Sequence, residues 1–379
     1  MKLKHTALAI AALTASFSAW ADADQQAGTT GMVHNMTASS APAKEGIDAH
    51  TNFMPQGGYA PTIANTRYVE PSAQRKLAVG EKISRITERN KVGETIVQRL
   101  TDRTYWVQTG FYNTLFYVGD KGVLLMDPLG DGSGKKVQEA IAKVTKLPVT
   151  AVLYSHNHAD HIGDIGVFID AAKQQGVKLR IIASDATAAK QQYLGSQLPK
   201  PTETVAFKNG KFQFENLTVQ AQGFERASHT DDSAGWLMVQ EGIMHAPDVT
   251  NPDQMPYLGF GGSENAVYLE GNLQQLANGN WRYFNGGHGN IGSKADIAFM
   301  QGYMKDLRAA LNQAFEKVSA DDYFNERMNN HEAAAHAYNE AVAKYATDVL
   351  RPKYGKFYGF EASVPHQADM MIEAVGSYR

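Results

Sequence analysis

The sequence predicts an α/β fold in which helices enclose β-sheets, and three observations carry that expectation. Apolar, β-rich runs alternate with segments of helical periodicity through the first half of the chain. Strand pairs joined by short turns recur in the middle. The last part is a succession of amphipathic helical stripes. Strands that alternate with helices, with hairpins between them, favour sheets sandwiched by helices.

The elements follow in order. Tyr105-Trp106-Val107 and Thr114-Leu115-Phe116-Tyr117-Val118 are β-rich runs flanking a Gly-containing turn. After the tight turn Gly119-Asp120-Lys121-Gly122, Val123-Leu124-Leu125-Met126 reads as a buried strand ending at Asp127-Pro128. Residues 135–146 are expected to be helical, with Val137, Ile141 and Val144 on one side, and residues 149–154 form another buried-type strand. A helix reaching Ala171 and a strand around residues 179–182 come next. Phe212-Gln213-Phe214 with Leu217-Thr218-Val219, and Trp236-Leu237-Met238-Val239 with Ile243-Met244, read as hairpins turning at Glu215-Asn216 and Glu241-Gly242. Ile297, Met300, Met304, Leu307, Leu311 and Phe315 share one helical face, as do Tyr338, Ala341, Val342, Tyr345 and Val349. These stripes read as core-facing, and they also suit a homodimer surface or a lid.

Composition bounds the function. The chain has 379 residues, 43% hydrophobic and 20% charged, enough for one large domain or two modest ones. The net charge is −3 with both signs interspersed, so there is no broad basic face and nucleic acid is not an expected partner. The basic start Met1-Lys2-Leu3-Lys4-His5, the apolar residues 7–17 and Ala19-Trp20-Ala21 form a signal-peptide pattern. Cleavage is expected after Ala21, or after the equally legal Ala21-Asp22-Ala23, giving a periplasmic or secreted protein. No later stretch is apolar enough for a membrane span. Residues 22–60 are rich in Ala, Thr, Ser, Gly and Met and read as a loose leader, and residues 71–100 as a charged, partly helical extension laid on the main domain. The absence of cysteine removes disulfides, Cys-type zinc sites and iron–sulfur clusters, so any metal must be held by His, Asp or Glu.

His156-Asn157-His158-Ala159-Asp160-His161 places three histidines and an aspartate directly after an apolar strand. A loop at a strand end lets such side chains converge, with His156 and His158 approaching one ion and Asp160 and His161 a second. Imidazole and carboxylate suit Zn²⁺, with Mn²⁺ or Fe as alternatives. Asp127 and either Asp231 or Asp232 are candidate orienting carboxylates.

The His-x-His-x-Asp-His pattern, with Leu124-Leu125-Met126-Asp127 upstream, resembles the signature of the metallo-β-lactamase superfamily. The likeness covers about residues 105–297 and implies an αββα four-layer sandwich. It also implies the remaining ligands: His229 in Ser228-His229-Thr230, Asp248 after Ala246-Pro247, and His288 in Gly287-His288-Gly289. By this resemblance one ion falls to His156, His158 and His229, the other to Asp160, His161 and His288, with Asp248 bridging. His245 reads as structural, and His331 and His336 as solvated. Asp248 follows proline where the family usually has glycine. A bridging aspartate also leads away from the all-His β-lactamase subclass, and the lack of cysteine excludes the Cys-ligand subclass. The implied division is a signal peptide at 1–21, an extension at 22–100, a catalytic domain at 101–320 and C-terminal helices at 321–379.

The expected chemistry is hydrolysis of a small molecule by a two-metal centre with a bridging hydroxide, Asp160 orienting the hydroxide and passing its proton to the leaving group. No nucleophile elbow, phosphate loop or dinucleotide fingerprint competes. Pro256-Tyr257-Leu258-Gly259-Phe260-Gly261-Gly262 suits an apolar pocket wall, with Tyr257 and Phe260 as pocket residues, or else a packed surface loop. A carboxylic ester or lactone is the favoured substrate. A β-lactam, a phosphotriester and a sulfate ester are alternatives, and a non-catalytic metal protein and a redox diiron protein are disfavoured.

Overall fold

The computed structural model describes residues 59–377. The expected signal peptide and the leader as far as residue 58 lie outside the described residues. Arg67–Val69 (β1) and Glu81–Ile83 (β2) pair in parallel, followed by the helix Ile86–Val92 (α1). A seven-stranded sheet then runs in chain order through Thr95–Arg99 (β3), Thr104–Thr109 (β4), Tyr112–Val118 (β5), Val123–Met126 (β6), Val149–Leu153 (β7), Arg180–Ser184 (β8) and Glu203–Val205 (β9). Interleaved with it are Ser133–Val144 (α2), Ala159–Ile162 (α3), Ile165–Gln174 (α4) and Asp185–Tyr193 (α5). The sheet is antiparallel from β3 to β6 and parallel from β6 to β9.

A second, five-stranded sheet contains Lys208–Phe214 (β10), Leu217–Gly223 (β11), Ala234–Met238 (β12), Ile243–His245 (β13) and Tyr283–Asn285 (β14). It is antiparallel except for the parallel pair β13–β14. The helices Leu269–Asn278 (α6), Lys294–Lys317 (α7), His331–Tyr354 (α8) and Phe360–Gly376 (α9) complete the chain.

The alternation of side chains along each strand builds the layers. Leu124 and Met126 of β6 point to the interior between the sheets, where they join Trp106, Leu153, Phe212, Val219, Trp236 and Met238. Their neighbours Val123 and Leu125 point outward to Val137 and Ile141 of α2 and Phe168 of α4. On the far side, Leu237 and Met244 meet Leu273 of α6, Met300 and Leu307 of α7, Val342 of α8 and Val364 of α9. The result is the expected α/β arrangement of helix, sheet, sheet and helix layers, with extra C-terminal helices.

Two segments differ from the sequence reading. Thr95–Arg99, placed in the charged extension, is the edge strand of the large sheet. Ile96 and Leu100 enter the core, Gln98 between them is buried with its amide donating to Arg75 O and Arg99 O, and Thr95 and Arg99 are half-buried on the other face, so polar residues mask a short alternating strand. On α8 the buried stripe is Val342, Ala343, Ala346 and Leu350, one residue away from the predicted one. Alanines allow close approach to α7, and Tyr338 and Tyr345 pack at its margin.

The segment preceding the large sheet is keyed into the rest by polar contacts. Lys82 Nζ lies 2.7 Å from Asp296 Oδ1, each side chain only 3% exposed. Asp296 also accepts from Ser293 N at 2.8 Å, closing the capping box that starts α7. Asn290 receives Ile83 N and donates to Ile83 O, at 3.0 and 2.9 Å. Replacing one partner of a buried pair strands the other, at a cost of about 3–5 kcal/mol. Lys82→Met is therefore expected to lower unfolding stability by that order in a denaturant titration. Lys344→Ala, at an exposed pair, should change it little.

Candidate metal centre

The parallel strands β6, β7, β13 and β14 deliver their C-terminal ends to one edge of the sandwich. Asp127 follows β6, His156 and His158 follow β7, Asp248 follows β13, and His288 follows β14. His229 arrives on the connection between β11 and β12. The backbone turns sharply where the strands stop: Asp127 and Asp248 both take left-handed conformations, with φ of 65° and 64°. Asp248 N is held by Gly286 O at 3.0 Å.

All seven residues read from the sequence as ligands come together, in two groups sharing Asp248. His156, His158, His229 and Asp248 form one; Asp160, His161, His288 and Asp248 form the other, the candidate atoms of each within 4.8 Å of one another. In the first, His229 Nε2 lies 3.2 Å from His156 Nε2 and 3.0 Å from His158 Nδ1. In the second, Asp248 lies 2.9 Å from His161 Nε2 through Oδ2 and 3.0 Å from His288 Nε2 through Oδ1. Asp160 Oδ2 is 3.5 Å from His161 Nε2 and 3.6 Å from His288 Nε2.

These contacts fit metal ions better than a hydrogen-bond network. Three imidazole nitrogens facing one point set lone pair against lone pair wherever no proton intervenes. Their spacing is close to the ~3.3 Å edge of a tetrahedron with Zn–N bonds of about 2.0–2.1 Å. Asp248 Oδ2 and His161 Nε2 are buried without a hydrogen-bond partner in the protein, which is costly unless a cation satisfies them.

The electrostatics divide the site. Burial, reinforced by the neighbouring imidazoles, drives the His156 pKa well below its ordinary value, and burial pushes His229 down to about 3. At His288 burial acts downward too, but Asp248 and Asp160 outweigh it and raise the group to about 9. Burial likewise opposes ionisation of Asp248, and His161, His229 and His288 overcome it, holding this carboxyl well below the usual range.

Outer contacts aim the ligands. His288 Nδ1 donates to Phe111 O at 3.1 Å, leaving Nε2 for the site. His156 Nδ1 is paired with Ser155 Oγ at 3.0 Å. Asp127 Oδ2 stands 3.4 Å from His161 Nδ1, and its Oδ1 accepts from Ser155 N at 2.7 Å. Of the two aspartates left open by the sequence, Asp232 is the buried one, and its Oδ2 accepts from Asn157 N, the backbone between His156 and His158, at 2.8 Å. Asp231 is exposed and pairs with Lys190.

The flank contains residues that motif reading missed. The Phe111 ring lies 4.6 Å from that of His288 and 5.2 Å from Tyr257, and Tyr112 lies 5.3 Å from His288. The sequence reading placed Phe111 and Tyr112 in the Gly-containing turn between two β-rich runs and gave them no role. Tyr257 is half-buried on this flank. Phe260, the other expected wall residue, is buried in the helical core and borders a small cavity with Asp248 and Met300. His331 and His336 are exposed on α8, as read. His34 and His50 lie outside the described residues.

Known proteins share parts of this chain's sequence and fold. The family model of the metallo-beta-lactamase superfamily matches residues 107–247. A metallo-beta-lactamase type 2 from Bacillus sp. (strain 170) is 26% identical over 186 residues, covering 46% of this chain and 67% of that protein. The 2,4-dinitroanisole O-demethylase subunit beta of Nocardioides sp. (strain JS1661) is 31% identical over 90 residues, 23% of this chain and 28% of that protein. Among solved structures, a metallo-beta-lactamase from Pontibacter korlensis aligns with a TM-score of 0.47 at 18% identity, covering 56% of this chain and 99% of the other.

Gly287 makes the packing of the site testable. Its φ is 76°, and a Cβ there would sit 2.7 Å from His161 Cε1 and 2.9 Å from Pro247 Cβ. Gly287→Ala should displace the His161 ring and weaken metal binding about 10–100-fold, as loss of an orienting contact does. Chelator competition followed by elemental analysis measures this.

Proposed function

This chain belongs to the metallo-beta-lactamase superfamily, a superfamily of metal-dependent hydrolases, and we propose from that premise that it is an exported hydrolase of a neutral carboxylic ester or lactone, working with two Zn²⁺ ions. The observation that carries the reading is the pair of complete donor sets meeting at Asp248. His156, His158 and His229 would hold one ion, Asp160, His161 and His288 the other, and Asp248 both. When bound, such ions supply a water nucleophile ionised near neutral pH and a Lewis acid for the carbonyl oxygen.

The protein's own side chains account for the rest. Asp160 retains 18% exposure, unlike the buried Asp248, so it faces the entering substrate. With its Oδ2 turned to His161 and His288, its other oxygen is the one we assign to take the proton and return it to the leaving oxygen. Phe111 and Tyr257 offer an aromatic surface beside His288 for an apolar acyl or alkyl group. Nearby cations are engaged elsewhere: Lys190 with Asp231, Asp232 and Glu264, and Arg226 over the ring of Tyr268. This favours an uncharged substrate over an anionic one.

A second reading, hydrolysis of a β-lactam amide, is favoured by the similarity to the Bacillus metallo-beta-lactamase. A screen of zinc-loaded protein against lactones, aryl esters, phosphotriesters, sulfate esters and β-lactams separates the two. Turnover of lactones or aryl esters is the expected outcome, and turnover confined to β-lactams or to the phosphorus and sulfur esters would sink the ester reading. His158→Ala should lose one of two ions by elemental analysis and drop kcat/KM at least about a thousand-fold, the equivalent of several kcal/mol of metal stabilisation. Export is tested by the N-terminus of protein recovered from the periplasm or medium, expected at Asp22 or Asp24.

A further inference from the structure

Behind His161 a line of buried polar groups has a polarity that can be read outward from one end. Trp106 on β4 lies in the interior between the sheets, and its Nε1–H is 3.2 Å from the side-chain amide of Asn285. Indole nitrogen is a donor only, so the Asn285 atom that meets it must be Oδ1. The amide nitrogen of Asn285 then faces His245 Nδ1 at 2.9 Å and donates to it. A ring nitrogen that accepts carries no proton, so the His245 proton is on Nε2, which lies 2.9 Å from Asp127 Oδ2. Asp127 Oδ2 in turn stands 3.4 Å from His161 Nδ1. Every side chain in the line is buried.

The strands explain why the groups meet. His245 and Asn285 end the parallel strands β13 and β14 and are register partners, so their side chains lie abreast on one face. Asp127 ends β6 in the facing sheet, and its left-handed backbone brings the carboxylate back over the interior. The opposite arrangement is excluded by donor–donor conflict. A flipped Asn285 would point its NH₂ at the indole N–H, and a proton on His245 Nδ1 would meet the amide NH₂.

We propose that His245 is a positioning residue for the metal centre: the Trp106–Asn285 pair fixes it as the Nε2–H tautomer, and in that form it anchors Asp127 against His161, so that His161 Nε2 is presented to the ion. The inference rests on the reading of His161 as a metal ligand. It gives His245 a task that its place three residues before Asp248 does not disclose, and extends the support of the ligand into the far sheet.

The test does not depend on a variant that might misfold. Long-range ¹H–¹⁵N correlation on ring-labelled, zinc-loaded wild-type protein reports the tautomer of each histidine. His245 is expected with its proton on Nε2, and a proton on Nδ1 overturns the proposal. Two substitutions then read the consequence by chelator competition. His245→Phe removes the donor to Asp127 and should weaken one of two zinc ions about 10–100-fold, while the ion of His156, His158 and His229 stays at wild-type affinity. Trp106→Phe keeps an aromatic ring of smaller size and removes the N–H that orients Asn285, and should give a mixture of His245 tautomers with a smaller loss at the same ion. A purely structural role would lower thermal stability with both affinities unchanged, which overturns the proposal. Wild-type protein that binds no zinc would instead overturn the reading of the metal centre beneath it.

Discussion

The carboxylate of Asp248 is the constraint on which the rest of the structure depends. It is 7% exposed, and its oxygens reach imidazoles of both donor sets: His161 at 2.9 Å, His229 at 3.2 Å and His288 at 3.0 Å. Removing a charged carboxylate from water costs several kcal/mol unless opposite charge and good geometry compensate. A rearrangement that moved any of the surrounding loops outward would leave this group uncompensated. The loops therefore have to be held to sub-ångström tolerance by groups that are not ligands.

That requirement explains otherwise unrelated features. The His229 loop is pinned by Ser263 Oγ to Ser228 O at 2.6 Å, by Glu264 N to His229 O at 2.8 Å, and by Lys190 reaching across from α5 to Asp231 and Glu264. The His288 loop is pinned by Asn290, which grips both the N–H and C=O of Ile83, and by Asn113 donating to Gly289 O at 2.8 Å. Residues 81–83 thus stabilise the site without approaching its chemistry. Their buried Lys82–Asp296 pair joins the start of α7 to the same loop. Each contact has modest net worth in isolation, and together they hold a polar centre that could not persist in a loosely packed chain.

This division also explains what could be read from the sequence. His156, His158, Asp160 and His161 were legible because metal ligation needs scarce residue types at close spacing, and β6 and β7 because a buried strand needs an unbroken apolar run. His229, Asp248 and His288 were reachable only through the family resemblance, since nothing local in their segments requires a metal. That Asp232 rather than Asp231 is the buried one was not legible: adjacent side chains of one turn point to opposite sides, and only the fold decides which is buried. Phe111 and Tyr112 were hidden because they fall in the Gly-containing turn between the two β-rich runs, and a turn does not disclose what its side chains face. Strand β3 was obscured by its polar residues, and the one-residue offset on α8 by tyrosines that read as core residues but are only partly buried.

The C-terminal helices, which carry no ligand, bear on the part of the site that the metal motif leaves open. Tyr257 is followed by Gly259, Phe260, Gly261 and Gly262, all with positive φ between 53° and 76°, a left-handed turn that a chain without these glycines would not adopt. The turn buries Phe260 in the helical core. Gln367 of α9 donates to the carbonyls of Pro256 and Tyr257 at 2.5 and 3.0 Å, and is itself fixed by Tyr303 of α7. The position of Tyr257 beside Phe111 is thus set by residues over a hundred positions later in the chain. The candidate metal ligands and the residues that position Tyr257 therefore come from separate parts of the chain. The first sit at strand ends and the loops that follow them, the second on a glycine turn and on α7 and α9, which clamp it. On the proposed reading, the packing of α7 and α9 against residues 256–262 is what shapes the aromatic flank of the site.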